Sequence, residues 1–121
     1  GDHSNIGFGS ILDGRGAVLY IGRNVDIAPQ VNIWTLQHNV GSVSHESVAC
    51  KVCIEDRSWI CNRALILPGS VIRTSAVVAA GDVFKGELPS GMISTGLNGR
   101  IIDKRRYLEE GFQLSPIRRF R

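Results

Sequence analysis

The sequence predicts an all-β solenoid, a stack of coils made of short strands, and three observations predict it. Ile54, Ile60, Ile66, Ile72, Val78 and Phe84 fall six apart without a miss. Four positions after the first five stand Ser58, Ala64, Ser70, Ala76 and Asp82, all short side chains. Upstream, Ile21, Ile27 and Ile33 keep the same beat, with Val25 and Val31 four positions after the first two. In a helix, residues six apart are rotated by roughly 240°, so such a row would leave any single face. In an extended chain side chains alternate, and an even spacing returns every member to one side. Each coil then buries its apolar row only when the next coil stacks on it. An antiparallel sandwich of Val/Ile-rich strands is the competing architecture, but it gives no reason for an unbroken phase from Ile54 to Phe84.

Taken in order, residues 1 to about 20 carry a looser beat through Ile6, Leu12 and Val18. The phase slips by about three residues between Val18 and Ile21, which predicts a small corner loop around Asp13 to Gly16. The first six-residue unit starts almost at once, so preceding coils or a cap are expected to be short or absent. Residues 21–37 form a second regular block, punctuated by Pro29. Residues 38–51 have no beat and are rich in Ser, Gly and polar residues, which predicts a loop projecting from the stack. The third block runs from 54 to about 89, with Pro68, Gly69 and Gly81 at its bends. Beyond Leu88-Pro89-Ser90-Gly91 the pattern relaxes, and 101–110 reads as a short strand with a helical end. We therefore divide the chain into a coil domain, 1–91, and a basic tail, 92–121.

Composition narrows the function classes. With 43% hydrophobic and 7% aromatic residues, the core must be aliphatic. No apolar run is long enough for a membrane helix, and no signal-peptide pattern starts at Gly1. The net charge of +3 is uneven. Up to Gly99 seven basic residues face eight acidic ones, whereas Arg100, Lys104, Arg105, Arg106, Arg118, Arg119 and Arg121 face only Asp103, Glu109 and Glu110. Such a tail attracts phosphates or anionic headgroups, so a peripheral membrane-surface contact is one expectation for it. Nucleic acid is not expected, because no recognised basic-aromatic module is present. Cys50 and Cys53 have the spacing of half a zinc site, but no second pair completes it. We read them, with Cys61, as free thiols of a reducing, cytoplasmic protein, with no metal.

Four motifs carry a resemblance. A-P-x-V-x-I-x-T-x-x-H ends at His38, I-E-D-x-x-W-I at Ile60, I-L-P-G-S-V-I at Ile72 and A-V-V-A-A-G at Gly81. Together with the hexads they resemble the hexapeptide-repeat acyltransferases, in particular the maltose/galactoside acetyltransferase-like and polysaccharide O-acetyltransferase branch. The resemblance covers roughly residues 4–106. It implies a left-handed parallel β-helix, a homotrimer with active sites between subunits, and acetyl-CoA as co-substrate. It also implies O-acetylation of a sugar hydroxyl, in surface polysaccharide or glycolipid biosynthesis.

The resemblance makes His38 the catalytic base, and the chemistry asks for one. A sugar hydroxyl is a poor nucleophile at neutral pH, and a neutral imidazole can take its proton as the oxygen attacks a thioester. By the same resemblance Trp59, Asn62 and Ala80 line the acyl-donor site, with Lys85, Arg100 and Lys104 near its phosphates. Two departures stand out: K-G-E at Lys85–Glu87 replaces the family's T-K-D, and Asp103 stands where a second base is common. Asp13 falls near a sugar-contacting position. His3 and His45 match no family position and read as surface residues. Two other classes remain on this fold. One is a non-catalytic scaffold. The other is a γ-type carbonic anhydrase, which would need two His five apart where His38 and His45 are seven apart.

Overall fold

The computed structural model describes residues 1–96, 100–102, 111 and 113–114. The first coil is β1 (Asn5–Ile6), β2 (Ile11–Asp13) and β3 (Leu19–Ile21). The second is β4 (Asp26–Ile27) and β5 (Asn32–Trp34), then a hairpin of β6 (Leu36–His38) and β7 (Ser47–Ala49), then β8 (Val52–Ile54). Two more coils follow: β9 (Trp59–Ile60), β10 (Leu65–Ile66), β11 (Val71–Ile72), then β12 (Val77–Val78), β13 (Val83–Phe84), β14 (Glu87–Leu88). β15 (Ile93–Thr95) opens a fifth, and β16 (Arg100–Ile102) turns back antiparallel on it.

The coils stack into three sheets, β1-β4-β9-β12-β15-β16, β2-β5-β10-β13 and β3-β8-β11-β14. Apart from β16, neighbouring strands in these sheets are parallel and in register, so each coil repeats the one before. The register aligns the six-residue beat into columns. Ile27 pairs with Ile60 and Ile60 with Val78; Ile33 with Ile66 and Ile66 with Phe84; Ile54 with Ile72 and Ile72 with Leu88. All nine side chains are buried. Each fully buried aliphatic contributes about 1.5–3 kcal/mol. The first coil shows what stacking supplies: Ile6 is 54% exposed, whereas Ile27, its partner one coil on, is 1% exposed.

The short slots sit at the bends, in the same columns that Val25 and Val31 fill one coil earlier. Ser58, Ala64, Ser70 and Ala76 are fully buried there, and the Ser58 hydroxyl donates to the Arg73 carbonyl (3.0 Å). Asp82 occupies the same slot in the fourth coil and accepts a hydrogen bond from Ser94, which takes the column position beside Val78. The beat shortens once, between Phe84 and Leu88, where only Lys85 and Gly86 join two strands.

Candidate active site

The site grows from the corner between the second and third sheets. There the first coil turns through residues 14–18 and the second through 35–51. Thr35 locks the two segments together from a fully buried position. Its hydroxyl donates to the Asp13 carbonyl (2.8 Å) and accepts from the Ala17 amide (3.4 Å), while its own carbonyl accepts from the Cys50 amide (2.9 Å). Gly16 lies against the base of the hairpin. A Cβ added there would come within 2.9 Å of both the Ala49 Cβ and Leu36 Cδ1, so only glycine allows this approach.

What the sequence predicts as a projecting loop is an antiparallel hairpin with an ordered tip. Leu36 pairs with Ala49, Gln37 with Val48 and His38 with Ser47. The Asn39 side chain accepts from the Gly41 amide (3.0 Å), and its carbonyl from the Ser42 amide (3.0 Å). The Asn39 amide donates to the Glu46 carbonyl (2.9 Å), and the Glu46 amide to the Ser42 hydroxyl (3.3 Å). His45 takes φ 57°, in the left-handed region that His enters more readily than most residues.

That backbone conformation turns the His45 carbonyl toward His38 Nδ1, 3.0 Å away. A carbonyl only accepts, so Nδ1 carries the proton, and neutral His38 keeps its lone pair on Nε2. The exposed imidazole is thus fixed in the tautomer a general base requires. The His45 ring also lies on the His38 ring, centroids 3.7 Å apart at 17°. Sequence reasoning leaves His45 on the surface, which is correct for its exposure and misses its contact. No apolar alternation marks the 36–49 pairing, so nothing in the pattern brings the two together. Stacked rings keep their lone pairs in parallel planes rather than converging on an ion. Among the described residues no three His, Cys, Asp or Glu side chains group as a metal site.

The other expected site residues fall at two places. Lys85 is exposed on the same corner as the hairpin, in the fourth coil, roughly 10 Å along the axis at the usual strand spacing. Asp13 lies below the hairpin with its carboxylate engaged by Arg15 (2.7 and 3.2 Å). The Arg15 guanidinium holds it below the ordinary carboxylate range. Asn62 and Ala80 are exposed at the corner between the first and second sheets, stacked one coil apart, with the Gly81 amide donating to the Asn62 carbonyl (2.9 Å). Trp59 is 40% exposed on the first sheet just before that corner. Within one chain, therefore, these three and His38 lie at opposite ends of the second sheet. Arg100 belongs to β16; Lys104 and the helical end expected before residue 110 lie outside the described residues.

No protein-family profile matches the chain. A provisionally named acetyltransferase of Saccharomyces cerevisiae is 36% identical over 97 residues, covering 78% of this chain and 48% of that protein. A provisionally named lipopolysaccharide O-acetyltransferase of Escherichia coli, WbbJ, is 31% identical over 98 residues, covering 69% and 49%. A Vibrio cholerae hexapeptide-repeat acetyltransferase, solved with acetyl-CoA, superposes with a TM-score of 0.79 at 29% identity, covering 88% of this chain and 59% of that one. The chain belongs to the hexapeptide-repeat acyltransferases. Its coil is accordingly the left-handed β-helix of that family, an exception to the usual right-handed crossover. The chain spans about half the length of the curated relatives it matches.

Proposed function

We propose that this chain carries the catalytic coil domain of an O-acetyltransferase that moves an acetyl group from acetyl-CoA to a sugar hydroxyl. One observation carries the reading: an exposed imidazole, presented on an ordered hairpin, with Nδ1 committed to a carbonyl and Nε2 left basic. The kinship with acetyltransferases, one of them solved with acetyl-CoA, supplies the donor class.

The residues present fit such a donor. Ala80 and Gly81 leave the first corner low and open above Asn62, and nothing within 4 Å would oppose a Cβ at Gly81. Trp59 offers an exposed aromatic face beside it. Lys85, on the hairpin's corner, and by sequence Arg100 and Lys104 are the cations assigned to the donor's phosphates. Acetyl-CoA supplies an activated acyl carbon. His38 Nε2 takes the acceptor's hydroxyl proton as the C–O bond forms, then returns it to the sulfur as the C–S bond breaks. Base catalysis of this kind accounts for about 10²- to 10⁴-fold in rate, and orientation of the two substrates for more.

The separation of Asn62 and Ala80 from His38 along the second sheet favours a site shared between copies. We infer a homotrimer in which one chain presents His38 to donor held along the first corner of its neighbour. Cys50, Cys53 and Cys61 form no disulfide, which accords with a cytoplasmic setting, and a glycan or glycolipid precursor accords with the E. coli relative. Thiol release from acetyl-CoA, followed with a panel of maltose, galactosides, N-acetylglucosamine and nucleotide sugars, tests this together with light scattering. The expected result is transfer to at least one sugar by a trimer, reduced at least 100-fold in His38→Ala. Absence of transfer to every sugar, or undiminished transfer by His38→Ala, overturns the assignment.

A further inference from the structure

We propose that His45 is a positioning residue for His38, with its ring, as well as its carbonyl, holding the catalytic imidazole. The inference rests on His38 being the base. An exposed histidine on a two-stranded arm has broad freedom about its ring torsion, and a base that must meet a bound hydroxyl loses rate when it wanders. The hydrogen bond to the His45 carbonyl pins one edge of the ring but leaves it free to tilt about that contact. The His45 imidazole removes this freedom by covering one face at 3.7 Å and 17°. His38 stays exposed beside this clamp, and the bond to His45 engages Nδ1 rather than Nε2. The tip is built to hold both elements of the clamp. The His45 amide reaches the Ser42 carbonyl (3.4 Å), Ser42 and Ser44 hydroxyls bond each other (3.0 Å), and the left-handed backbone at 45 aims the carbonyl inward while the ring folds back.

Because Asn also tolerates a left-handed backbone, His45→Asn removes the ring and keeps the carbonyl. The test compares wild type, His45→Asn and His45→Phe for kcat and KM, using acetyl-CoA and the sugar turned over fastest in the panel above. ¹⁵N spectra of the His38 ring run alongside. The expected result is a kcat about 10-fold lower in His45→Asn, an unchanged KM for acetyl-CoA, and a His38 still protonated at Nδ1. His45→Phe, which restores a flat face, recovers kcat to within about 3-fold of wild type. Wild-type kcat in His45→Asn overturns the inference. So does loss of the Nδ1–H signal in that variant, which would assign the effect to the carbonyl alone, or failure of Phe to recover rate while its His38 keeps the Nδ1–H signal. Undiminished turnover by His38→Ala instead removes the underlying reading, so the two failures are distinguishable.

Discussion

Two corners of the β-helix repeat from coil to coil, and the third does not. Between the first and second sheets, Gly9, Gln30, Arg63 and Gly81 each take a positive φ, from 57° to 70°. Between the third and first, His3, Asn24, Arg57, Ser75 and Gly91 do the same, from 53° to 71°. From the second coil on, each donates its amide to the coil before: Gln30 to Phe8, Arg63 to Pro29, Gly81 to Asn62, Asn24 to Asp2, Arg57 to Arg23, Ser75 to Asp56 and Gly91 to Thr74, all at 2.8–3.2 Å. The corner between the second and third sheets carries residues 14–18, 35–51, 67–70 and Lys85–Gly86 in turn. A corner that must repeat to close its hydrogen bonds cannot accept an insertion. The corner free of that ladder carries the hairpin, His38 and Lys85.

The largest expected effect comes from removing what the irregular corner adds. Replacing residues 39–46 by Asn-Gly joins His38 and Ser47 through a two-residue turn suited to an antiparallel pair. His38 then keeps its strand and loses both contacts with His45. Turnover is expected to fall about 100-fold or more, with the urea midpoint nearly unchanged, because shortening a surface loop alters closure entropy little. A large loss of stability would show that the hairpin tip is part of the scaffold. The converse variant, Ile66→Ala, empties a fully buried position between Ile33 and Phe84. It should cost about 2–5 kcal/mol in denaturant unfolding while the folded fraction keeps its kcat.

The same contrast explains how much was legible in the sequence. Ile54 to Phe84 announce the coils because every coil needs a large apolar side chain at the same place, and the register puts those residues into columns. The His38 motif marks the proposed site for the same kind of reason, being tied to a fixed place where the second coil leaves the stack. The hairpin is different. Leu36, Gln37 and His38 against Ser47, Val48 and Ala49 carry no period, since neither face is buried in a core. Its order comes from main-chain bonds and short polar links at Asn39, Ser42 and Ser44, which leave no hydrophobic trace. His45 was hidden by that silence. The shortening between Phe84 and Leu88 was also quiet, because Lys85-Gly86-Glu87 alters the loop without altering either core residue.

A gentler probe of the boundary between the two regimes is Gly16→Ala. The added methyl would stand 2.9 Å from the Ala49 Cβ, which cannot rotate away, so the hairpin base must shift by some tenths of an ångström. The expected outcome is a kcat lowered several-fold to about 10-fold with a small change in melting temperature. An unchanged kcat would mean that His38 tolerates movement of its arm. At the regular corner the corresponding change runs the other way. Ser75 holds φ 61°, a conformation costing non-glycine residues about 1–2 kcal/mol. Ser75→Gly should therefore raise stability by up to about 1 kcal/mol, net of the glycine entropy cost, with activity unaffected.

The smallest effect lies in the charges that run along the regular side. Arg73 bridges Glu55 (2.7 Å) in the second coil and Glu87 (2.8 Å) in the fourth, and Glu55 also accepts from the Thr74 amide (3.0 Å). The Arg73 hydrogen bond, with help from Thr74, holds the Glu55 carboxyl below the ordinary glutamate range. A carboxylate with a depressed folded-state pKa stabilises the fold above its unfolded value, about 4.3, and that contribution fades as pH falls through the lower folded value. Both partners are partly exposed, so the whole contribution is about 1 kcal/mol or less. Glu55→Gln should thus be slightly less stable than wild type at pH 7, with the difference shrinking toward pH 3 in denaturant titrations. Asp13, likewise depressed by Arg15, keeps a residual pH slope in the variant, because that pair belongs to the other corner. A difference that stays constant from pH 7 to 3 would mean that Glu55 acts through packing, and that the regular corners hold by their main-chain ladders alone.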